Sequence, residues 1–400
     1  MNKKNSITLY CNWNVYVDDN GDIWLTSADA QYIRALKNLG FFKISLISKV
    51  SKNKNLCHDY CILKKSLVLI PIPFFNSYFK SIFKLPAILK AFFTAACMKS
   101  DYLYIRVYEP FIYLLVPLFK ILSINTIRCM HYVAEPKSSI FYNSSSLYIV
   151  KILRYLLFLP DYYLTNIVSL FCHITSNGPI PMKSTPFFVR NRMREIIESS
   201  ILETNLKFIS PKNRISGSIV RILYVGYIRP SKGMDTLINA VNELHHKDGI
   251  TNFTVTIVGN GEYLDKVKKE INDKKIAHYF SFPGYIPFSS ILFEYYYNAD
   301  IFVNVSPSET GPRVLLEAGI FNCYLISTKV GYSSRIINNN NGILIDINNL
   351  EQLRIALINS IKNIDDIRNN SFLYEENKKL KEYSTENFFR LVFNFEKNDR

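Results

Sequence analysis

The sequence predicts an α/β protein of two domains, each built on a mainly parallel β-sheet with helices on both faces. Three observations predict it. The chain has 400 residues, more than one hydrophobic core usually serves, so two domains of about 200 residues are expected. Short runs rich in Val, Ile, Leu and Phe alternate with longer segments of helical apolar spacing, the β-α-β succession of a parallel sheet. A more polar stretch at 194–218, interrupted by Pro211, Asn213 and Gly217, separates two such successions and reads as the linker.

In the first half, residues 7–13 read as a strand, and 14–25 as an acidic loop carrying Asp18, Asp19, Gly21 and Asp22. Thr26 or Ser27 caps a helix that runs to Leu39. Gly40 stops it, and 43–50 is the next strand. Residues 66–72 and 102–107 read as further strands, as do 126–133 and 163–167. Between them, 76–93 interleaves Phe79, Ile82, Phe83, Leu85, Ile88 and Phe92 with Lys80, Lys84 and Lys90, broken at Pro86. It reads either as an amphipathic membrane-surface element or as a core helix with a basic face.

The second half is more regular. Strands are expected at 221–225, 253–258, 279–282, 300–305, 324–327 and 342–345. Helices are expected at 231–246, where Met234, Leu237, Ile238, Val241 and Leu244 repeat at helical spacing, at 262–275, at 289–298, from the first turn at Pro312 through Glu317, and at 349–362. A final helix is expected over 383–395, with Phe388, Phe389, Val392 and Phe395 on one face and Ser384 or Thr385 as its cap.

Charge is unevenly spread. The net charge is +15, and residues 1–190 carry 22 Lys/Arg against 9 Asp/Glu, whereas residues 191–400 carry 26 against 24. From 60 to 100 there are six lysines and no acid. A field confined to one half attracts an anionic partner, and an anionic membrane surface suits it. No recognition motif accompanies the charge, so nucleic acid is not expected. No apolar run reaches 18 residues, and no signal core opens the chain. The seven cysteines are scattered and odd in number, as expected of reduced core thiols in the cytoplasm. Cys57, His58 and Cys61 lack a second pair at zinc spacing, so no metal is expected.

The most informative stretch is Ser-Pro-Ser-Glu-Thr-Gly-Pro-Arg-Val-Leu-Leu-Glu-Ala-Gly at 306–319. Pro312 suits the first turn of a helix. Glu309 then lies on the entering loop, and Glu317 about one and a half turns inside. The N–H groups of 310–314, among them Thr310, Gly311, Arg313 and Val314, lack intrahelical partners and can receive an anion. A carboxylate at each side of a phosphate cradle suits a sugar nucleotide.

This stretch resembles the Glu-seven-residues-Glu signature of retaining glycosyltransferases of the GT-B fold, most closely glycosyltransferase family four (glycosyl transferases group 1). The resemblance spans roughly 219–362. It includes Val-Gly-Tyr-Ile-Arg-Pro-Ser-Lys-Gly (225–233), Ile-Val-Gly-Asn-Gly (257–261), Phe-Pro-Gly-Tyr-Ile-Pro (282–287), Ala-Asp-Ile-Phe-Val-Asn-Val-Ser-Pro-Ser (299–308) and Asn-Gly-Ile-Leu-Ile (341–345). Five motifs in order are specific together. The resemblance implies two Rossmann-like domains facing across a cleft: an acceptor domain at 1–200, a nucleotide-sugar domain at 201–375, and a terminal helix at 376–400 returning to the first domain.

By the resemblance, Lys232 and Arg229 bind the donor diphosphate and offset leaving-group charge, with no metal or other cofactor. Tyr227 stands where many relatives carry Arg. Glu309 contacts the donor sugar and Glu317 the ribose. Gly259 and Gly261 let the nucleotide lie close, and Tyr285 and Ile286 address the base. His131 matches the place of an active-site histidine. On the acceptor side stand Asp19, Gly21, Asp22 and Arg106. The expected function is transfer of a sugar from a nucleoside diphosphate to a hydroxyl of a lipid-linked or polysaccharide acceptor, with retention, in bacterial surface polysaccharide assembly such as lipopolysaccharide or capsule, on the inner face of the cell membrane. Two alternatives are a sugar-nucleotide epimerase of the same architecture and a non-catalytic membrane-surface partner.

Overall fold

The computed structural model describes residues 5–136, 140–141, 147–206 and 218–394. The linker residues Pro211, Asn213 and Gly217, and Phe395 of the terminal face, lie outside them. The chain forms two compact units, Met1–Leu202 with Thr385–Arg400, and Glu203–Ser384. Residues 376–384, expected with the terminal helix, stay with the second unit.

The first unit holds β1 (Ser6–Tyr10), β2 (Val15–Val17), β3 (Ile23–Leu25), β4 (Lys43–Ser51), β5 (Tyr60–Ile62), β6 (Val68–Pro73), β7 (Tyr102–Val107), β8 (Ile127–Tyr132), β9 (His173–Asn177) and β10 (Arg194–Ile196). Its sheet runs β10-β9-β8-β7-β1-β4, with β6 also paired to β4, and these pairs are all parallel. Chain order therefore reverses between β1 and β7. In doubly wound sheets such a switch point opens a crevice at the carboxyl ends of the strands, where ligands bind.

Two expectations fail here for physical reasons. The acidic 14–25 loop is a hairpin. β2 and β3 pair antiparallel, and β2 continues from the carboxyl end of β4 through Val15 beside Val50. Asp18 closes its turn by accepting from the Asn20 and Asp22 amides and from Trp24 Nε1, so local hydrogen bonding consumes the acid. The expected 163–167 strand lies inside the helix Tyr148–Val168. That helix buries Phe158, Asp161 and Thr165, a helical rather than an alternating pattern. The strand falls instead at β9, whose His-Ile-Thr-Ser-Asn reads as polar. The 76–93 stretch is interrupted at Pro86 as expected, into the helices Tyr78–Ile82 and Leu85–Cys97. Pro86 stands in the first turn of Leu85–Cys97, where a missing N–H costs nothing.

The terminal helix Thr385–Phe393 belongs to the first unit. Phe388, Phe389, Val392 and Phe393 enter the core beside Tyr32, Tyr102 and Tyr104. The Thr385 amide donates to the Ile201 carbonyl (2.8 Å), and Asn38 Nδ2 to Glu386 Oε1 (2.8 Å). Three buried phenyl rings at roughly 1.5–3 kcal/mol each are ample to hold nine residues in place. Of the cysteines, Cys11, Cys129, Cys172 and Cys323 are buried, whereas Cys57 and Cys97 are exposed and Cys61 is half-buried. All seven are free thiols. Among the described residues no helix is long and apolar enough to cross a membrane.

The second unit follows the expected succession closely. β11 (Val220–Val225), β12 (Phe253–Val258), β13 (Phe280–Gly284), β14 (Ile301–Asn304), β15 (Tyr324–Thr328) and β16 (Gly342–Ile345) form one parallel sheet in the order β13-β12-β11-β14-β15-β16. Its strands are nearly continuous apolar runs because both faces are covered. The switch point lies between β11 and β14. At the amino end of β14, Asp300 is buried between Arg221 (3.2 Å) and Arg368 (3.0 Å). This network ties the first strand of the unit, the start of β14 and the helix Ile364–Asn369 together.

Candidate active site

The loops leaving β11 and β14 build the site. After Val225 the chain passes Gly226, Tyr227, Ile228 and Arg229 into a single tight turn, Pro230–Lys232, and then the helix Met234–His246. Gly233 joins turn to helix at φ 75°, and a Cβ there would stand 2.1 Å from the Val305 carbonyl oxygen. Only glycine lets this turn lie flat on the end of β14. Ser306 fastens the same junction, its hydroxyl donating to the Ser231 carbonyl at 3.2 Å. Lys232 is thereby delivered to Glu309, and Nζ forms an ion pair with Oε1. Their side chains are 16% and 19% exposed, so the pair is screened less than a surface one.

Arg229 lies close by. The phenol of buried Tyr224 is pushed up by burial, further by Glu309, and is opposed by Arg229, so the acid and the guanidinium both act on it. Arg229 Nε is buried with no hydrogen-bond partner in the structure. Tyr227 is exposed, and its hydrogen bond helps hold the Glu262 carboxyl below its ordinary range.

The loop 306–312 is clamped from its far side. Thr328 Oγ1 donates to the Ser306 carbonyl (2.6 Å), and Ser333 Oγ donates to the Thr328 carbonyl (3.0 Å). Gly331, at φ 55°, admits the Thr310 carbonyl, which would stand 2.7 Å from a Cβ there. Pro312 precedes the helix Arg313–Ile320. Of the amides expected to be open, that of Arg313 already donates to the Gly311 carbonyl (2.9 Å). Thr310, Gly311, Arg313 and Val314 are all half-buried.

Glu317 lies within the helix Arg313–Ile320. It is 5% exposed, and Oε2 accepts from the hydroxyl of fully buried Tyr296 at 2.8 Å. Tyr296 stacks on Phe321 and comes from the helix Ser290–Asn298. Gly259 and Gly261 must be small for the chain's own packing. A Cβ at Gly259 would stand 1.9 Å from the Gly226 carbonyl oxygen, and one at Gly261 2.1 Å from that of Ile228. The space is taken by the chain itself, which draws the loops after β11 and β12 together. Tyr285 and Ile286 follow β13, whose last carbonyl, on Gly284, accepts from the Gly259 amide (2.9 Å). Tyr285 is exposed and Ile286 half-buried.

The first unit's named residues divide. His131 and Arg106 are neighbours across β8 and β7. His131 is fully buried under Phe388, with Nδ1 bonded to Thr175 Oγ1 (2.8 Å) and Nε2 without a partner. Burial holds its ring at about 4, with Glu198 opposing and Arg106 adding. It therefore stays neutral, and it presents no atom to solvent. Arg106 pairs with buried Glu198 at 3.1 Å. Asp19 is exposed at the hairpin tip, Gly21 takes φ 80° in its turn, and Asp22 accepts from the Lys64 amide (2.9 Å). Glu109, just past β7 at the first unit's switch point, accepts from the Asn12 amide, and burial pushes its carboxyl up to about 7.

Several of these groups were not foreseen. Glu198 sits in the stretch read as linker. Tyr296 and Thr328 carry no motif. Only the polar spacing of Ser306, Ser327 and Thr328 at apolar strand ends offered a signal. Among the described residues no three His, Cys, Asp or Glu side chains are grouped to hold a metal ion.

Comparison with known proteins bears on the second unit and on the fold. Residues 206–386 match the family model described as glycosyl transferases group 1. No curated protein matches the chain. Among solved structures, a glycosyltransferase from Rickettsia africae is similar at 17% identity and a TM-score of 0.67, over 99% of this chain and 100% of that one. Sucrose-phosphate synthase from Thermosynechococcus elongatus gives 15% and 0.66, over 98% and 100%. Anabaena Alr3699/HepE, solved with UDP and glucose, gives 13% and 0.62, over 97% and 98%. At such identities the likeness is one of fold, the GT-B fold of two doubly wound units. The second unit is a group 1 glycosyltransferase domain, which bears out the resemblance carried by its motifs and the expectation of a glycosyltransferase.

Proposed function

We propose that the chain transfers a sugar from a nucleoside diphosphate to a hydroxyl, with retention at the anomeric carbon. The observation that carries this reading is the Lys232–Glu309 pair at the β11/β14 switch point, inside the matched domain. The bond from the anomeric carbon to the diphosphate oxygen breaks, one to the acceptor oxygen forms, and the acceptor proton leaves with the diphosphate. Lys232 and Arg229 offset the charge that develops on the leaving group. Glu309 faces the sugar hydroxyls and helps stabilise positive charge at the reacting carbon. Glu317, its second oxygen set by Tyr296, receives the ribose hydroxyls. No metal is required.

The acceptor belongs to the first unit. Phe79, Phe83 and Phe93 are exposed beside exposed Lys80, Lys84 and Lys90. Apolar side chains interleaved with uncompensated cations suit the interface of an anionic bilayer. This supports a lipid-linked or polysaccharide acceptor at the inner face of a bacterial membrane, as in surface polysaccharide assembly. The fold alone does not choose the acceptor, since a sucrose-phosphate synthase shares it. The epimerase alternative needs an acid–base group, and His131, the histidine the resemblance implies for the site, is fully buried.

The test is a panel of uridine and guanosine diphosphate sugars. One of them should raise the melting temperature, as binding to the folded state alone requires. It should then yield free nucleoside diphosphate only when an acceptor is present. Conversion of the sugar without acceptor would support the epimerase. No stabilisation by any donor would leave the non-catalytic reading.

A further inference from the structure

The first unit contains a cavity of about 910 Å³ between the segment 76–80 and the helix Tyr148–Val168. This is near the top of the roughly 300–1,000 Å³ range of ligand pockets. Its walls are mainly apolar and aromatic, with Tyr78, Val150, Leu157 and Phe158 among them, and its cations are Lys80 and Arg154. No carboxylate is among the described lining residues. Half-buried Glu135 stands between the lining residues Ala134 and Pro136, and buried Asp161 accepts from the Phe111 amide (3.0 Å), burial pushing its carboxyl up to about 6.

Two placements narrow what fills this space. Tyr108 and Ala134 line it, and they follow the carboxyl ends of β7 and β8. One end of the cavity therefore lies at the edge of the sheet where the first unit's switch point opens. The other placement is outward. Leu153 and Leu157 line the cavity and are also exposed, at 55% and 49%, in line with exposed Ile149, Ile152 and Leu156 on the same helix. An apolar helix face thus leads from the surface into an apolar hole that reaches the ligand edge of the sheet.

We propose that this cavity holds the aliphatic chain of a lipid-linked acceptor, with the lipid phosphate against Lys80. Charge complementarity selects an anionic head, and the uninterrupted apolar wall selects a hydrocarbon chain over a glycan. The cavity's contact with the ligand edge favours an acceptor's anchor over a bulk membrane lipid. The assignment rests on the transferase reading.

The experiment uses the full chain and monomeric alkyl phosphates of six, eight, ten and twelve carbons, with UDP as an independent probe of the second unit. Affinity should rise about fourfold per added methylene until the cavity is full. Leu153→Trp, at an exposed position, and Ala134→Leu, at the sheet end, should each flatten that rise while UDP affinity stays unchanged. Lys80→Glu should lower affinity about equally at every chain length. Three results would overturn the proposal: a rise with chain length that persists in both filled variants, no rise at all, or dihexanoyl phosphatidylglycerol binding as tightly as the matched alkyl phosphate and losing as much in the filled variants. If UDP fails to bind while the chain-length dependence is lost in the filled variants, the transferase reading falls and the hydrocarbon site stands. If UDP binds and chain length has no effect, the cavity assignment alone falls.

Discussion

Lys232→Ala and Glu309→Gln should move nucleotide affinity in opposite directions. In the unliganded chain Lys232 is already paired with Glu309. A diphosphate that recruits the ammonium must compete with that carboxylate. A hydrogen bond from a charged group contributes about 1.5–3 kcal/mol. The pair it weakens is partly buried, at 16% and 19% exposure, and is worth about 1 kcal/mol, the upper end for exposed pairs. The net contribution of Lys232 to UDP binding is then about 0.5–2 kcal/mol, so Lys232→Ala should weaken UDP roughly 2- to 30-fold. Glu309→Gln releases the lysine and should tighten UDP by up to about fivefold, while slowing turnover of the intact sugar nucleotide, whose hydroxyls lose their carboxylate. Titration calorimetry at low salt measures both, and the double variant should resemble Lys232→Ala. Equal losses in the two single variants would refute the competition. Unchanged UDP affinity in Lys232→Ala would remove that residue from the diphosphate altogether.

Glu317→Ala should cost about 1–3 kcal/mol of stability because it strands the buried Tyr296 hydroxyl. It should also weaken UDP well beyond Tyr296→Phe, which spares the carboxylate; equal nucleotide losses in calorimetry would make Glu317 a packing residue. At Asp300, burial pushes the carboxyl up, but hydrogen bonds from Arg368 and Arg221 override it and hold it at about 2, below its usual 3.8. Its contribution is therefore present above pH 4 and lost as pH falls toward 2, about 2 kcal/mol in all, and Asp300→Asn should cost about 3 kcal/mol in urea unfolding at pH 7 and lack that acid limb. His131, held at about 4 against a usual 6.5, contributes stability that is intact above pH 6.5 and lost as pH falls to 4, about 3 kcal/mol. Glu109 and Asp161, pushed up to about 7 and about 6 by burial, gain stability over the same fall and mask it in the wild type. The stability gap between wild type and His131→Gln should nevertheless narrow from pH 6.5 to 4, and a gap independent of pH would mean the ring is not buried neutral.

What the sequence made legible, and what it hid, follows from the range of the interactions involved. The second unit was readable almost strand by strand because β11 to β16 are buried on both faces, so each apolar run declares itself without reference to its neighbours. Its site was readable because Lys232 and Glu309 stand on loops that directly follow strands at the switch point. The first unit mixes local signals that mislead. The acids of 18–22 look like a functional loop, yet Asp18 spends both oxygens closing a turn. β9 hides because polar Thr175, Ser176 and Asn177 are buried by neighbours far along the chain. Asn177 binds the Glu198 amide (3.0 Å), Glu198 in turn binds Arg106, and Thr175 holds His131. No window of residues contains both ends of any of these bonds, so spacing cannot reveal them.

The same reasoning separates two kinds of glycine that look alike in sequence. Gly233 and Gly259 both lie in loops that leave strands and both take positive φ, and the resemblance gave Gly259 to the nucleotide. The structure shows each to be a meeting point of two backbone segments, Val305 against one and Gly226 against the other. Their smallness sets how closely the loops of adjacent strands approach, and hence whether Lys232 reaches Glu309 at all. Gly259→Ala should therefore act at a distance. A methyl group 1.9 Å from the Gly226 carbonyl cannot be accommodated without moving the loop that carries Arg229 and Lys232. UDP affinity should fall with Gly259→Ala even though the glycine need not touch the nucleotide. The loss should shrink when Lys232 is already Ala, because the displaced cation is then absent. Additive losses in that double variant would instead place Gly259 against the nucleotide itself.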